Sequence, residues 1–163
     1  MSILPNKASL HIAVVKTPFG KIRISAGEYL TRIEFLTEDV PLCAPQSVLA
    51  HQTVYELNSY FKDPYFKFTI PYQLAGTAFQ KRVWHALSAL PIGTTISYGE
   101  LAQKLKTGAR AIGQACRTNP LPLFIPCHRV LSQHGLGGFS GDRTGKKIAI
   151  KQWLLNHEAN HAI

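Results

Sequence analysis

The residues with the clearest capacity for chemistry are three neighbours, Cys127, His128 and Arg129. A base or a cation beside a cysteine lowers the pKa of the thiol and increases the fraction of nucleophilic thiolate. A lone cysteine is more often a buried structural thiol, and that alternative stays open at this point. The flanking residues favour a cysteine nucleophile.

The segment before Cys127 determines how this thiol is presented. Pro120, Pro122 and Pro126 exclude a helix and predict a stiff, extended run that is buried through its apolar residues. Adjacent side chains of an extended chain point to opposite faces. We therefore expect His128 to reach the Cys127 sulfur through a bridging water rather than directly.

A carboxylate near the end of the chain is the third candidate catalytic group. Glu158 lies four residues after Leu154, near the inner side of a helix predicted from about Thr144 to His157. A buried glutamate is rare unless it is paired, and His128 is a natural partner. Two interpretations stay open, a frayed and solvated end or a buried pair.

The positive charge of the chain is concentrated in its second half. The 18 Lys and Arg residues outnumber nine Asp and Glu, and residues 81–163 hold eleven of the basic residues but only three of the acidic ones. Such a surface attracts polyanions such as nucleic acid, although a solvated basic face is the alternative. No apolar run is long enough to span a membrane, and the N-terminus lacks a secretory stretch, which predicts a soluble cytoplasmic protein.

The elements that must position these residues differ between the two halves. Alternating apolar residues predict an antiparallel meander over residues 10–35, followed by a helix from about Ser47 to Phe61. The second half is helical, and two short helices resemble a helix-turn-helix. The second of them, about 109–117, has an outer face formed by Arg110, Gly113, Gln114 and Arg117. A glycine-rich loop, 134–141, could pack closely around a flat ligand.

Several motifs of the second half occur in an order typical of one family. Residues 126–130, Pro-Cys-His-Arg-Val, resemble the active-site motif of the O6-alkylguanine-DNA alkyltransferases. Further matches are Phe79-Gln80, Val83-Trp84, Ile96-Ser-Tyr-Gly-Glu-Leu-Ala102, Arg110-Ala-Ile-Gly113, Asn119-Pro120 and Trp153-Leu-Leu-Asn-His-Glu158. The likeness is strong over about residues 75–160 and looser before them.

The resemblance implies direct-reversal DNA repair. The Cys127 thiolate would take the alkyl group from O6-alkylguanine, or from O4-alkylthymine, in double-stranded DNA after the base is flipped out. Glu158, His128 and a water would relay the thiol proton. Because S-alkylcysteine is stable, the protein would act once, as a monomer, with no cofactor and no metal.

The resemblance also implies roles in DNA binding. The 109–117 helix would enter the minor groove, with Arg110 filling the gap left by the flipped base, and Tyr98 would donate a hydrogen bond to a base ring nitrogen. Backbone groups near Val130 and Ser140 would read the base edge, and Asn119 would hold the turn before the cysteine. The implied contact residues are Tyr98, Arg110, Ala111, Gly113, Gln114, Arg117, Asn119, Arg129, Val130 and Ser140.

The fold implied by the resemblance has two parts. Residues 1–72 would form an α/β domain with a small antiparallel sheet and a helix, similar to ribonuclease H. Residues 73–163 would form a mainly α domain with a helix-turn-helix, similar to a winged helix. Phe139, Asp142 and Gln114 depart from the residues common in the family.

Three other functions are compatible with parts of the sequence. A non-catalytic DNA-binding module would not need Cys127, and a cysteine hydrolase could use the same cysteine with His128 and Glu158. A metal site would need histidines such as His134, but no HExxH motif or Cys/His spacing supports one. The three cysteines of the chain include no CxxC pair, which disfavours a disulfide framework and a zinc ribbon.

Overall fold

The first part of the chain is the predicted antiparallel meander. The computed structural model describes residues 9–142 and 145–160. Three strands pair in the order β1-β2-β3. They are β1 (His11–Thr17), β2 (Gly20–Ala26) and β3 (Leu30–Leu36). The predicted two-residue period is confirmed for the apolar positions of the sheet, because Ile22, Ile24 and Ile33 are buried in the core.

The next element covers the inner face of this sheet. Helix α1 (Val48–Lys62) begins after Ser47, whose hydroxyl accepts a hydrogen bond from the Ala50 amide. Leu57 and Tyr60 are buried on its inner side. This helix brings Tyr60 next to the second half of the chain, where the Tyr60 hydroxyl donates a hydrogen bond to Glu158.

Three helices build the second half. They are α2 (Ala78–Ser88), α3 (Tyr98–Lys104) and α4 (Ala109–Arg117). Thr77 and Gln80 form a capping box at the start of α2, as the Thr-x-x-Gln spacing of the sequence indicates. The indole nitrogen of Trp84 donates to the Ala115 carbonyl at 2.8 Å, which fixes α2 against α4.

The proline-rich segment is buried as predicted but is not extended. Residues 121–130 are all buried. The chain makes a tight turn, in which the Ile125 amide donates to the Leu121 carbonyl at 2.8 Å and Leu123 adopts a φ of 79°. Proline rules exclude a helix without distinguishing an extended chain from a turn, so the prediction of an extended run was wrong.

The reactive-cysteine motif comes directly before one of two short, paired strands. Cys127–Arg129 forms one 3₁₀ turn. It leads into β5 (Val130–Leu131), which pairs in parallel with β4 (Ile96–Ser97). Strand β4 is followed directly by α3. The start of α3 and the cysteine motif are therefore held side by side.

The last helix is longer at its end than the sequence pattern predicted. Helix α5 spans Lys146–Asn160, so Glu158 lies within it and not beyond it. The predicted start at Thr144 lies outside the described residues. Lys151 and Glu158 are both buried on this helix.

Aromatic side chains join the two halves of the chain. Phe19 and Phe61 contact Trp153 at ring-centroid distances of 5.5 and 6.0 Å, and Phe35 contacts Phe139 at 5.3 Å. A single buried cluster therefore runs through both halves. The domain boundary at residue 72 remains a prediction. Within the described ranges, none of the helices combines the length and apolar character that crossing a membrane requires.

We predict that Thr77→Ala lowers the free energy of unfolding by about 1 kcal/mol, because it removes the N-cap of α2. Urea denaturation followed by tryptophan fluorescence measures this change. Thr95→Ala is the matched control, since Thr95 is exposed. Equal effects of the two substitutions would contradict a role for the capping box.

Candidate active site

One pocket contains most of the residues predicted for DNA contact together with the predicted nucleophile. It has a volume of about 700 Å³ and lies between α4, the start of α3 and the glycine-rich loop. The residues from the prediction that line it are Tyr98, Arg110, Gly113, Gln114, Arg117, Cys127 and Ser140. The structure thus brings the thiol and the outer face of α4 to one cavity.

Cys127 is buried at the inner end of this pocket, with 4% of its surface exposed. Burial raises the pKa of its thiol, while a hydrogen bond with Asn119 and the charge of Lys151 act in the opposite direction. Burial dominates, so at neutral pH the resting residue is a thiol. It needs a base to become a nucleophile.

The predicted pairing of His128 with Glu158 is present in the structure. His128 Nε2 lies 2.7 Å from Glu158 Oε1, and both side chains are almost fully buried. Burial lowers the pKa of His128 and outweighs the opposing effect of the carboxylate, so the imidazole is neutral at rest. The neutral ring donates its Nε2 proton to Glu158 and leaves Nδ1 as an acceptor.

Nδ1 of His128 has no partner within the protein. Among the described residues it is the one fully buried side-chain nitrogen or oxygen without a hydrogen bond. Buried polar atoms are almost always paired, and exceptions often belong to catalytic groups. This atom can therefore receive a proton.

Two further residues hold Glu158. The Arg129 guanidinium donates from Nε and Nη2 to the two carboxylate oxygens at 2.9 and 2.8 Å, and the Tyr60 hydroxyl donates to Oε1 at 2.9 Å. Burial alone would raise the pKa of Glu158. The hydrogen bonds and charges of His128 and Arg129 outweigh it and hold this pKa well below its usual range. Glu158 is therefore a permanently charged anchor.

Two sequence-based expectations about this motif need correction. Cys127 and His128 lie in a 3₁₀ turn, so the alternation of an extended strand does not govern their directions. Arg129 was predicted to contact DNA, but it is 7% exposed and donates to Glu158 and to the Leu90 carbonyl. Its charge is needed inside the protein to neutralise the buried carboxylate.

The outer face of α4 is open as its spacing predicts. Arg110, Gln114 and Arg117 are exposed. A Cβ atom added at Gly113 would contact nothing within 4 Å. Ala111 is half-buried and lies outside the pocket lining. The face therefore has no side chain at Gly113, near its centre, and carries a cationic residue at each end.

The glycine-rich loop closes the opposite side of the pocket. Gly137 has a φ of 73° and lies so close to Tyr98 that an added Cβ would be 3.0 Å from its ring. The Tyr98 hydroxyl donates to the Gly138 carbonyl at 3.4 Å. Ser140 also has a positive φ, 48°. The loop packs on Tyr98 with little room for larger residues.

Sequence reasoning missed Lys151, which anchors this loop. Its ammonium is fully buried and donates to the carbonyls of Val130, Leu136 and Gly138. Burial lowers its pKa to about 8. A buried lysine is rare, and only its position within α5, one turn ahead of Leu154, hinted that it faces inward.

Two predicted contact residues lie beside the pocket rather than on its wall. Asn119 donates to the Ile125 carbonyl at 2.9 Å and accepts from the Leu121 amide at 2.9 Å, which is the turn-holding role predicted for it. Val130 is fully buried, and its carbonyl already accepts from Lys151. Within the described ranges, no cluster of three His, Cys, Asp or Glu side chains could hold a metal ion.

Comparison with known proteins gives the family. The model of the DNA-binding domain of 6-O-methylguanine DNA methyltransferases matches residues 78–160, slightly more than half of the chain. The chain belongs to this family. The methylated-DNA–protein-cysteine methyltransferase of Mycobacterium tuberculosis is 33% identical over 150 residues, covering 87% of this chain and 91% of the relative. The constitutive enzyme of that name from Bacillus subtilis is 40% identical over 106 residues, covering 63% and 62%.

Solved structures of the methyltransferase family agree with this assignment. The crystal structure of the Mycobacterium tuberculosis O6-methylguanine methyltransferase has a TM-score of 0.80 at 33% identity, and the match covers 95% of this chain and 96% of that chain. The same protein in complex with DNA has a TM-score of 0.77 at 35% identity, with 93% and 94% covered. The family predicted from the motifs is confirmed.

We predict that Glu158→Gln lowers the free energy of unfolding at pH 7 by about 3 kcal/mol, because it leaves the buried Arg129 charge without its counter-ion. The folded pKa of Glu158 lies below its ordinary value of 4.5, so its contribution is complete above that value and is lost as the pH falls toward the folded pKa. The difference between the two proteins should therefore be constant above about pH 5 and shrink as the pH falls from there toward 3 in urea denaturation. Glu34→Gln is the control, since Glu34 forms only half-exposed pairs.

Proposed function

We propose that this chain repairs alkylated DNA directly, by irreversible transfer of the alkyl group from O6-alkylguanine to Cys127. The observation that carries the proposal is the buried thiol at the inner end of a pocket, beside a histidine whose Nδ1 is unpaired and whose Nε2 is held by a charged carboxylate. The names of the relatives support the same reaction.

The proton of the thiol leaves by way of His128. Nδ1 accepts the Cys127 proton through a water, and the Nε2–H···Glu158 hydrogen bond stabilises the imidazolium that forms. Glu158 stays ionised throughout, since the Arg129 guanidinium holds it so. The buried carboxylate thus stabilises the positive charge on His128, and the imidazolium is the counter-ion of the thiolate.

The transfer step is a displacement at the alkyl carbon. The bond from Cys127 sulfur to this carbon forms while the bond from carbon to guanine O6 breaks. The electron pair stays on the base, which takes up a proton to become guanine. Because a thiolate is a poor leaving group from an alkyl carbon, the S-alkylcysteine is stable and the protein is consumed after one transfer. We extend the same step to O4-alkylthymine.

The base must leave the duplex to reach a buried thiol. We propose that α4 enters the minor groove, since Gly113 and Ala111 keep the centre of its surface small, and that Arg110 fills the gap left by the base. Tyr98 then turns its hydroxyl from Gly138 toward the base, and backbone groups at Val130 and Ser140 read the base edge. Gln114 and Arg117 contact the flanking backbone.

The basic surface supports non-specific attraction to DNA. Arg129 and Lys151 are buried and take no part in it. Among the described residues of this half, the exposed basic ones are Lys81, Arg82, Lys104, Lys106, Arg110, Arg117 and Lys146. Charge of this kind binds phosphates without reading sequence, as a protein that searches for rare lesions requires.

The proposal includes the finer assignments of fold and location. The β1-β2-β3 meander with α1 supports a ribonuclease H-like first domain, residues 1–72. The α3–α4 pair followed by β5 supports a winged-helix-like second domain, residues 73–163. We propose that the protein acts as a monomer on double-stranded DNA in the cytoplasm.

We predict that one equivalent of a duplex carrying O6-methylguanine adds one methyl group to the tryptic peptide of Cys127. Cys127→Ser should abolish the transfer and keep DNA affinity, because the hydroxyl lacks the nucleophilicity of a thiolate. Cys43→Ser is the control, since Cys43 is exposed and lies outside the pocket. Mass spectrometry of the digest measures whether the Cys127 peptide has gained one methyl group. An unmodified peptide after full incubation would refute the proposal, and repeated turnover would point to a hydrolase.

We predict that Arg110→Ala slows methyl transfer from duplex DNA by about tenfold, because the flipped state loses the side chain that replaces the base in the stack. Transfer from a single strand carrying the same lesion should change much less. Single-turnover rates on both substrates measure the two effects. Lys62→Ala removes an exposed charge from the first half, outside this basic surface, and serves as the control. Equal slowing on both substrates would exclude a gap-filling role.

A further inference from the structure

The pocket holds a second thiol that the proposed reaction does not use. Cys116 lies near the end of α4, is 8% exposed, and lines the same cavity as Cys127. Cys43, the remaining cysteine, is exposed, and its thiol donates a hydrogen bond to the Ile12 carbonyl on β1. Two of the three thiols therefore face one substrate cavity.

A short hydrogen-bonded path joins the backbones of the two pocket cysteines. The Asn119 amide donates to the Cys116 carbonyl at 3.3 Å, and the Asn119 side chain donates to the Ile125 carbonyl at 2.9 Å. The amide of Cys127 donates to that same Ile125 carbonyl at 2.8 Å. Burial raises the pKa of both thiols, and the charge of Lys151 opposes this effect at each of them.

We propose that Cys116 is a second alkyl acceptor, which closes a thioether bridge to Cys127 when the DNA lesion is O6-(2-haloethyl)guanine. The inference rests on the proposed function, because the first bond forms at Cys127. It adds a second acceptor thiol to this pocket for lesions that carry a second electrophilic carbon. An ethylene bridge places two carbon atoms between the sulfurs, so the two thiols need not be in contact.

The chemistry balances without an outside reagent. Cys127 sulfur takes the 2-chloroethyl carbon from O6, and guanine keeps the electron pair. The new thioether sulfur then displaces chloride from the second carbon and forms a three-membered sulfonium ring. The Cys116 sulfur attacks one ring carbon, the ring bond returns its electron pair to Cys127 sulfur, and the Cys116 proton passes to solvent. The products are guanine, one ethylene bridge and HCl.

The surroundings of Cys116 explain why it reacts second. Burial, and then the charge of Cys127, raise the pKa of Cys116, so it stays a thiol while Cys127 is activated. Once Cys127 is a neutral thioether, that second effect is gone. The sulfonium ring forms in a pocket whose walls include Cys116, and this proximity favours capture by the thiol over capture by water.

The test uses the full chain and a freshly prepared duplex carrying one O6-(2-chloroethyl)guanine. After the reaction, free thiols are blocked with iodoacetamide in denaturant and the protein is digested with trypsin, which cuts between the two cysteines after Arg117. Mass spectrometry should find the Cys116 and Cys127 peptides joined by one ethylene group, in the parent protein and in the Cys43→Ala control. If Cys127 carries hydroxyethyl or DNA while Cys116 is blocked by iodoacetamide, the inference is overturned.

Cys116→Ser keeps the size of the side chain and removes the second acceptor. The fraction of consumed Cys127 that ends as hydroxyethylcysteine or as a protein–DNA cross-link should rise by roughly tenfold. An unchanged fraction would also overturn the inference. A parallel reaction with O6-methylguanine separates the two proposals, since methyl transfer to Cys127 without bridging on the chloroethyl duplex refutes the second acceptor alone. Absence of methyl transfer refutes the proposed function itself.

Discussion

The Glu158 carboxylate receives hydrogen bonds from two other parts of the chain, and the reactive centre depends on this ionic cluster. Tyr60 comes from the first half, His128 and Arg129 from the cysteine turn, and Glu158 from the last helix. A buried carboxylate is costly unless its lone pairs are filled and its charge is compensated. Here both conditions are met, so a permanent negative charge can lie behind a neutral imidazole.

The same constraint explains how the two halves are arranged. The hydroxyl of Tyr60 reaches the carboxylate only when α1 and α5 pack together, and the Phe19, Phe61 and Trp153 rings fill the space around that contact. Among residues 9–80, which the structure describes, none lines the substrate pocket. Its contribution to chemistry is to complete the shell of the buried charge.

The sequence predicted local features well and long-range partners poorly. The 3.6-residue period of α4 and the capping box of α2 depend on neighbours within one turn, and both are present. Tyr60 is 98 residues from Glu158, and no periodic pattern records such a contact. The prolines exclude a helix in the segment before Cys127 but do not determine whether it is extended or turned. The turn at Leu123 depends on a positive φ that composition does not predict.

Helix α5 carries two anchors that serve different walls of the pocket. Lys151 ties the glycine-rich loop, and Glu158 orients the imidazole, seven residues and about two helical turns further on. A substitution between them leaves both in place, whereas one inserted residue would rotate the second by about 100° away from its partners. In α5, therefore, the number of residues between these two positions is fixed by geometry, while exposed positions such as Gln152 and Asn156 can change in composition.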